Sequence, residues 1–139
     1  MNETIRMPFP KAALPARNLR QSVLRGLKGR CPACGEGRLF RAYLKVADEC
    51  PHCHEVLSHQ RADDAPAYVT MLIVGHFLLM GVIAEDELWP NAPMFAIAAA
   101  WSLLAILSSL WILPRVKGAL VGYQWALRMH GFGGAEQDF

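Results

Sequence analysis

The sequence predicts a mainly α membrane protein in which an antiparallel pair of transmembrane helices carries a small β module. Three observations lead to this prediction. Two stretches, 67–84 and 94–113, contain no Asp, Glu, Lys or Arg over 18 and 20 residues. All four cysteines stand in two Cys-x-x-Cys pairs before the first of these stretches. Residues 1–66 hold 11 of the 14 Lys and Arg, so the two halves of the chain are chemically unlike.

Residues 1–30 form a basic segment in which a short amphipathic helix is predicted over 18–29. Asn18 is a favourable N-cap, and Gly29 is a residue at which helices commonly end. Apolar residues recur on one side of this helix, at Leu19, Val23 and Leu27. A basic amphipathic helix is typical of an element that lies on a membrane surface. A solvated helix packed on its own domain is the alternative, and both interpretations stay open.

Residues 31–60 are predicted to form the cysteine module. Between the two pairs stand 15 residues, and the part that reads RLFRAYLKV alternates as a short hairpin does. Four thiolates that a hairpin brings together suit tetrahedral zinc, so the predicted metal ligands are Cys31, Cys34, Cys50 and Cys53. An iron site with the same ligands stays open. Four sulfurs leave no position for water or substrate, which favours a structural role.

Each Cys-x-x-Cys turn is followed by a residue that we expect at positive φ. Gly35 suits that conformation after the first pair, and His54 takes the matching place after the second. His52, His54 and His59 are alternative ligands, but we interpret them as surface residues. About 30 residues bury too little apolar surface to fold alone, so metal binding is expected to stabilise the module. Chelation is therefore expected to unfold 31–60 and to leave the two apolar helices intact.

The apolar stretches have the length of membrane spans. At 1.5 Å per residue, 67–84 and 94–113 extend roughly 27 and 30 Å, close to the roughly 30 Å of a hydrocarbon core. Asp64 is a candidate N-cap for the first span, and Pro66 suits its first turn. The nine-residue connection 85–93 predicts an antiparallel hairpin. Buried helices of a soluble protein are the alternative.

The distribution of basic residues predicts the orientation of the spans. The connection 85–93 has no Lys or Arg, whereas both flanking segments have them. The positive-inside rule then places the connection outside and both termini, with the cysteine module, in the cytoplasm. After Pro114, residues 116–130 are predicted to form a cytoplasmic interfacial helix capped by Gly131, with one face made by Val116, Leu120, Tyr123 and Leu127. An irregular tail is the alternative.

His76 is the one ionisable residue inside a predicted span. A polar group at that depth is costly unless it faces protein or water, so His76 is a candidate cofactor ligand, for haem or copper. A hydrogen bond to a serine of the second span would also satisfy it, at Ser102, Ser108 or Ser109. A neutral histidine satisfied by a neighbouring helix or a partner is the interpretation we favour.

Small residues favour packing between helices. Gly75, Gly81 and the stretch 96–100 offer close-approach surfaces, so a partner membrane protein or self-association is expected. The sequence shows no phosphate-binding glycine loop, no nucleophile paired with a base and no convergent carboxylates. It therefore predicts a protein that is not an enzyme and has no small-molecule substrate.

The stretch RGLKGRCPACGEGRLFRAYLKVADECPHCHE, followed by RADDAPAYVTMLIVGHF, resembles the bacterial domain-of-unknown-function family numbered 983. The resemblance covers residues 25–125 and includes both Cys pairs, the Asp-x-Pro-Ala entry to a span, and Lys117-Gly118. His54 and Ala65 stand where the family usually has glycine. The resemblance implies a bacterial inner-membrane protein with two spans and a zinc-ribbon-like cytoplasmic head. Family members are commonly encoded beside genes for haem–copper cytochrome oxidase subunits and assembly factors.

The function expected from this resemblance is that of an accessory subunit or assembly factor of a respiratory oxidase complex. Metal or haem handling by the Cys/His cluster is an alternative. A nucleic-acid-binding or regulatory zinc ribbon is a second alternative, which tethering to a membrane disfavours.

Overall fold

The computed structural model describes residues 15–133, which form a mostly helical chain with one small antiparallel sheet. The helices are α1 (Leu19–Leu27), α2 (Ala65–Leu88) and α3 (Met94–Ala126), and a 3-10 turn follows at Met129–Gly131. The strands are β1 (Phe40–Ala42) and β2 (Lys45–Val46), and they form the hairpin predicted between the cysteine pairs. The predicted combination of two long apolar helices with a small sheet is confirmed.

Helix α1 begins and ends at the residues that its sequence indicates. The Asn18 side-chain oxygen accepts the Gln21 N–H at 3.1 Å, which is an N-cap bond. Gly29 has φ +70°, and the Arg30 N–H donates to the Arg25 carbonyl at 2.9 Å. This is the Schellman arrangement, in which a left-handed glycine lets the chain turn back on the last helical carbonyls.

Helix α1 packs on α3 through small residues on both helices. Ser22 and Gly26 are buried, and they lie against Gly118 and Gly122. A Cβ atom on Gly26 would lie 2.0 Å from the Gly118 carbonyl oxygen, and one on Gly122 would lie 2.3 Å from the Ser22 carbonyl oxygen. Small residues four apart on each helix allow the backbones to touch. Of the two interpretations of α1, the structure supports a helix packed on its own chain.

The apolar face predicted for α1 is therefore not its packing face. Leu19 and Leu27 are each 41% exposed, and Leu24 is exposed as well. The contact with α3 is made by Ser22 and Gly26 on the adjoining side of the helix, and Val23 of the predicted face is half-buried beside it. The leucines remain on the outside of the molecule.

Helix α2 begins at Ala65, but the Asp64 carboxylate does not cap it. Asp64 has φ −97° and ψ −28°, a helical conformation rather than the extended one of an N-cap, and its side chain makes no capping bond. Its backbone carbonyl accepts the Ala67 N–H at 3.0 Å instead. Pro66 lies in the first turn, as predicted. The side-chain role predicted for Asp64 is wrong.

The connection between the long helices is shorter than the predicted 85–93. Helix α2 continues to Leu88, so the connection contains only 89–93. Contacts with α3 hold this last turn: the Trp101 Nε1–H donates to the Glu85 carboxylate at 3.3 Å. The Trp101 ring also packs on Gly81, where a Cβ atom would lie 2.2 Å from the ring.

Helix α3 is one continuous element, so the prediction of separate helices at 94–113 and 116–130 is wrong. Its 33 residues extend about 50 Å, and Pro114 lies inside it. Proline has no N–H and leaves the carbonyl four residues earlier, that of Leu110, without a helical donor. The Tyr43 hydroxyl donates to that oxygen at 2.8 Å. Tyr43 belongs to the turn between β1 and β2, so the hairpin supplies the hydrogen-bond donor that Pro114 cannot provide.

One side of the end of α3 belongs to the core of the described chain. Val121 and Trp125 are buried in a cluster that also contains Cys31, Leu39, Cys50, Leu57 and Phe132. Tyr123 and Leu127, from the predicted interfacial face, are 43% and 47% exposed. The buried residues Val121 and Trp125 lie outside that face, so contact between the face and a membrane surface stays a prediction. We call residues 15–63 and 115–133 the head.

The two long helices outside the head leave most of their apolar side chains uncovered. Both are long and apolar enough to cross a membrane, and almost none of their residues are buried within the chain. Large side chains such as Phe77, Met80 and Phe95 are exposed. Such a surface is typical of helices that face lipid or another membrane protein.

Gly26→Ala is expected to destabilise the head. The added methyl group would overlap the Gly118 carbonyl, and overpacking of this kind costs about 1–3 kcal/mol. Denaturant unfolding in detergent, followed by tryptophan fluorescence, measures the change. The control is Gly75→Ala in α2, where nothing lies within 4 Å of an added Cβ. Equal stability of the two variants would contradict the close crossing.

Candidate metal centre

The four predicted ligands meet at one point of the head. The sulfur atoms of Cys31, Cys34, Cys50 and Cys53 all lie within 4.8 Å of one another. The Cys31–Cys53 and Cys34–Cys50 sulfur distances are 3.7 and 3.8 Å. Sulfurs at the corners of a tetrahedron, each about 2.3 Å from a zinc ion, would be about 3.8 Å apart. The cysteines are free thiols, and their spacing fits a tetrahedral ion.

Two similar turns present the sulfurs. The Gly35 N–H donates to the Cys31 carbonyl at 2.9 Å, and the His54 N–H donates to the Cys50 carbonyl at 3.0 Å. Gly35 has φ +78° and His54 has φ +60°. Both positive-φ predictions are confirmed. The turn after Cys53 keeps the shape of the first turn although histidine stands where the first turn has glycine.

Gly37 is a supporting residue that the sequence reasoning missed. A Cβ atom there would lie 2.3 Å from the Cys50 sulfur, so only glycine leaves room for the second pair. Its N–H and that of Glu36 each lie 3.5 Å from the Cys34 sulfur, and its carbonyl accepts the Cys31 N–H at 2.8 Å. The second glycine of C-G-E-G is the signal that would have found it.

The four thiols do not ionise alike. Burial raises the pKa of the Cys31 and Cys53 thiols. Burial would also raise the pKa of Cys34, but the N–H groups of Gly37 and Glu36, with the neighbouring sulfurs, lower it to about 6. Adjacent thiolates repel one another, so a bound dication supplies the charge that lets all four ionise.

The centre lies at the edge of the head. Cys31 and Cys50 are buried, Cys34 is half-buried and Cys53 is exposed. Four sulfurs complete a tetrahedral shell and leave no position for a substrate. The arrangement suits the stabilisation of a fold.

The histidines of the module pair with carboxylates rather than join the sulfur cluster. His52 Nε2 lies 2.7 Å from Glu36, and His54 Nδ1 lies 2.6 Å from Glu49. The His59 ring packs edge-on against Phe132. Their interpretation as surface residues agrees with these contacts.

Polar contacts around Trp125 join the rest of the head to the end of α3. The indole Nε1–H donates to Glu55 at 2.7 Å. The Arg17 guanidinium lies 4.0 Å from the centre of the indole ring and donates to the Trp125 carbonyl at 2.6 Å. Burial and the positive charge of Arg128 lower the pKa of Arg17, and the negative charge of Glu55 opposes that change.

A second polar contact holds the chain before α2 against α3. The Gln124 side-chain amide accepts the Arg61 N–H at 3.0 Å and donates to the Arg61 carbonyl at 2.9 Å.

His76, the candidate cofactor ligand, lies on the exposed side of α2. Its Nδ1 is 2.7 Å from the Leu72 carbonyl in the same helix. The Ser102 and Ser108 hydroxyls donate to carbonyls of their own helix, so within the described residues the predicted bond from His76 to α3 is not formed. The centre and His76 are separate features.

Gly37→Ala is expected to weaken zinc binding about 10- to 100-fold, the range for loss of a supporting contact. The added methyl group would displace the Cys50 sulfur and disturb two N–H···S contacts. Competition with a chromophoric chelator measures the affinity. Gly75→Ala is the control, and its affinity should be unchanged. Equal affinities in the two variants would mean that Gly37 does not shape the centre.

Zinc affinity is expected to rise with pH. Cys31 and Cys53, with pKa values raised by burial, carry protons near neutrality in the metal-free head, and zinc must displace them. Each displaced proton changes the affinity about tenfold per pH unit, so these two protons change it about 100-fold per pH unit. Chelator competition from about pH 6 to about pH 8 measures the slope. A flat profile would contradict coordination by these thiolates.

Comparison with known proteins places the chain in a family. Residues 40–125 match the family described as Protein of unknown function (DUF983). The match contains the second cysteine pair, α2 and most of α3. Neither a curated protein nor a solved structure matches the chain. The matched segment is more than half of the 139 residues, and the chain therefore belongs to the DUF983 family.

Proposed function

We propose that the protein is a zinc-containing protein of the bacterial inner membrane that binds another membrane protein and is not itself an enzyme. The observation that carries this proposal is the apolar surface of α2 and α3, most of which is exposed within residues 15–133. Two helices alone have little interior, so a partner completes their packing.

The proposed orientation places the head in the cytoplasm. The head contains the Lys and Arg of the described chain, and the connection 89–93 contains none. The acidic residue Glu85 stands at the far end of α2. The positive-inside rule then places both termini in the cytoplasm and the connection in the periplasm.

Zinc is proposed as a structural element of the head. Sulfur distances near 3.8 Å and four thiolate donors suit zinc. Iron has the same ligand preference and is distinguished by its visible absorption. A closed shell of four sulfurs offers no site for catalysis, which supports a role that is not enzymatic.

His76 marks the side of α2 on which the partner is proposed to sit. Because the Nδ1–H donates to Leu72, Nε2 of the neutral ring is an acceptor that faces outward. Such an acceptor is costly in hydrocarbon unless a donor meets it. It lies in an open groove of about 400 Å³ with Tyr68, Gly75 and Leu79, which a helix of another protein would fill.

The narrower proposal is that the partner is a haem–copper cytochrome oxidase or an intermediate of its assembly. Its support is the gene association of the family. The head would then present a rigid cytoplasmic surface while α2 contacts the oxidase.

Purification of the full chain from bacterial membranes in mild detergent tests this proposal. Mass spectrometry of the sample should find an oxidase subunit or assembly factor, and metal analysis should find one zinc per chain. His76→Leu is expected to lose the partner. Ser102→Ala is the control, because its hydroxyl is already bonded within α3, and it should keep the partner. A monomer with nothing bound, or a pure homo-oligomer, would contradict the proposal.

Metal delivery is a second candidate because Cys53 is exposed and offers an incoming ligand access to the ion. Delivery requires an ion that exchanges readily. Substoichiometric copper or haem in the purified protein, with rapid loss of metal to a chelator, would favour delivery. One slowly exchanging zinc per chain and no chromophore would exclude it.

A further inference from the structure

We propose that the head and α3 together form a binding groove for an anionic phospholipid at the cytoplasmic face of the membrane. The inference rests on the membrane orientation of the proposed function. The groove is open, has a volume of about 600 Å³, and lies where the end of α1 and strand β1 approach α3 around its proline. Its principal lining residues are Leu27, Lys28, Phe40, Trp111, Pro114 and Arg115.

The groove is lined by two cations, Lys28 and Arg115, and by no carboxylate. Lys28 is exposed at the end of α1. The Arg115 guanidinium lies 3.6 Å from the centre of the Trp111 ring and donates to the Trp111 carbonyl at 2.6 Å, which fixes its direction. Within residues 15–133, neither cation has a carboxylate within 4.0 Å. A phosphate group would satisfy both.

The groove is also lined by apolar side chains. Leu27 and the half-buried Phe40 form one wall, and Trp111, 60% exposed, forms the other. This wall continues into the uncharged part of α3. The cations therefore match a charged headgroup and the apolar side chains match an acyl chain, and both belong to a single phospholipid molecule.

A neighbouring concavity increases the positive charge. It has a volume of about 370 Å³, shares Lys28 and Phe40 with the groove, and adds Arg30 and Arg38. Its one acidic residue, Glu36, is paired with His52 at 2.7 Å. This excess of cations favours phosphatidylglycerol or a cardiolipin-type lipid over a zwitterionic one.

The groove also lies at the depth where headgroups are found. Trp111 and Arg115 are one helical turn apart, about 6 Å, and they flank the end of the uncharged stretch 94–113. Tryptophan and arginine at such a boundary are typical of the membrane interface. The Tyr43–Leu110 hydrogen bond holds the hairpin at the same level.

Lipid titration of the full zinc-loaded chain in neutral detergent, followed by native mass spectrometry, tests the proposal. The probes are phosphatidylglycerol, phosphatidylcholine and soluble glycerol phosphate. Each basic residue near a membrane surface contributes about fivefold in binding, so two contribute about 25-fold. The unmodified chain should therefore prefer phosphatidylglycerol over phosphatidylcholine by at least about tenfold. Equal binding of the two lipids would overturn the proposal, and so would equal binding of glycerol phosphate.

Matched variants assign the effect to the groove. Lys28→Gln with Arg115→Gln should abolish the preference, and Arg115→Lys should retain most of it. The control is Arg20→Gln with Arg61→Gln, which removes the same charge from exposed positions outside the groove. Loss of the preference in the control would mean a diffuse charge effect and would overturn the proposal. If the double variant fails to hold zinc, Lys28→Gln alone should reduce the preference about fivefold, and no reduction would overturn the proposal.

The lipid and partner experiments fail separately. Lipid preference without a co-purified protein would contradict the proposed partner and keep the groove. A co-purified partner with no lipid preference would contradict the groove and keep the partner.

Discussion

The course of α3 through Pro114 is the constraint on which the rest of the structure depends. One helix is uncharged over 94–113 and then forms the interior of the head. A proline would ordinarily break it, but Tyr43 donates to the carbonyl that Pro114 leaves without a partner. Because the two parts are one rigid element, the head has a fixed distance and direction from the apolar helices. The basic groove and the metal centre take their positions from the same helix.

The head has one core, which the cysteine module and the end of α3 share. The module is therefore not an independent domain attached to the long helices. The buried cysteines Cys31 and Cys50 belong to the same cluster as Val121 and Trp125. The close crossing at Gly26 and Gly118 adds α1 to this core, packed directly against α3. A metal ion at the four sulfurs would therefore stabilise α3 as well as the ribbon, since the sulfurs and the helix end are packed together. This explains how so small a head can hold a fixed shape with few buried residues of its own.

Local chemistry allowed some features to be predicted from the sequence. The spacing of the two Cys-x-x-Cys pairs predicted that the four sulfurs meet, and their turns predicted a positive φ at His54. The length of the two uncharged stretches predicted two long helices. The errors arose where a distant residue decides the structure. Pro114 indicates a helix end by every local rule, and the donor that compensates it, Tyr43, is 67 residues away. The segment 116–130 was interpreted from its apolar face, whereas the side that packs in the head carries Gly118, Val121, Gly122 and Trp125. The glycines at 118 and 122 were the available signal, a small-residue pair four apart.

Hydrogen exchange with and without a zinc chelator tests most directly whether metal centre, head and α3 form one unit. The zinc-loaded full chain in detergent is compared with the chelated chain, segment by segment. We predict that chelation removes protection from residues 118–126 together with 31–60, while 96–110 remain protected. Continued protection of 118–126 in a chain whose 31–60 segment has lost it would contradict the shared core. The head would then be a ribbon that folds by itself on an independent helix.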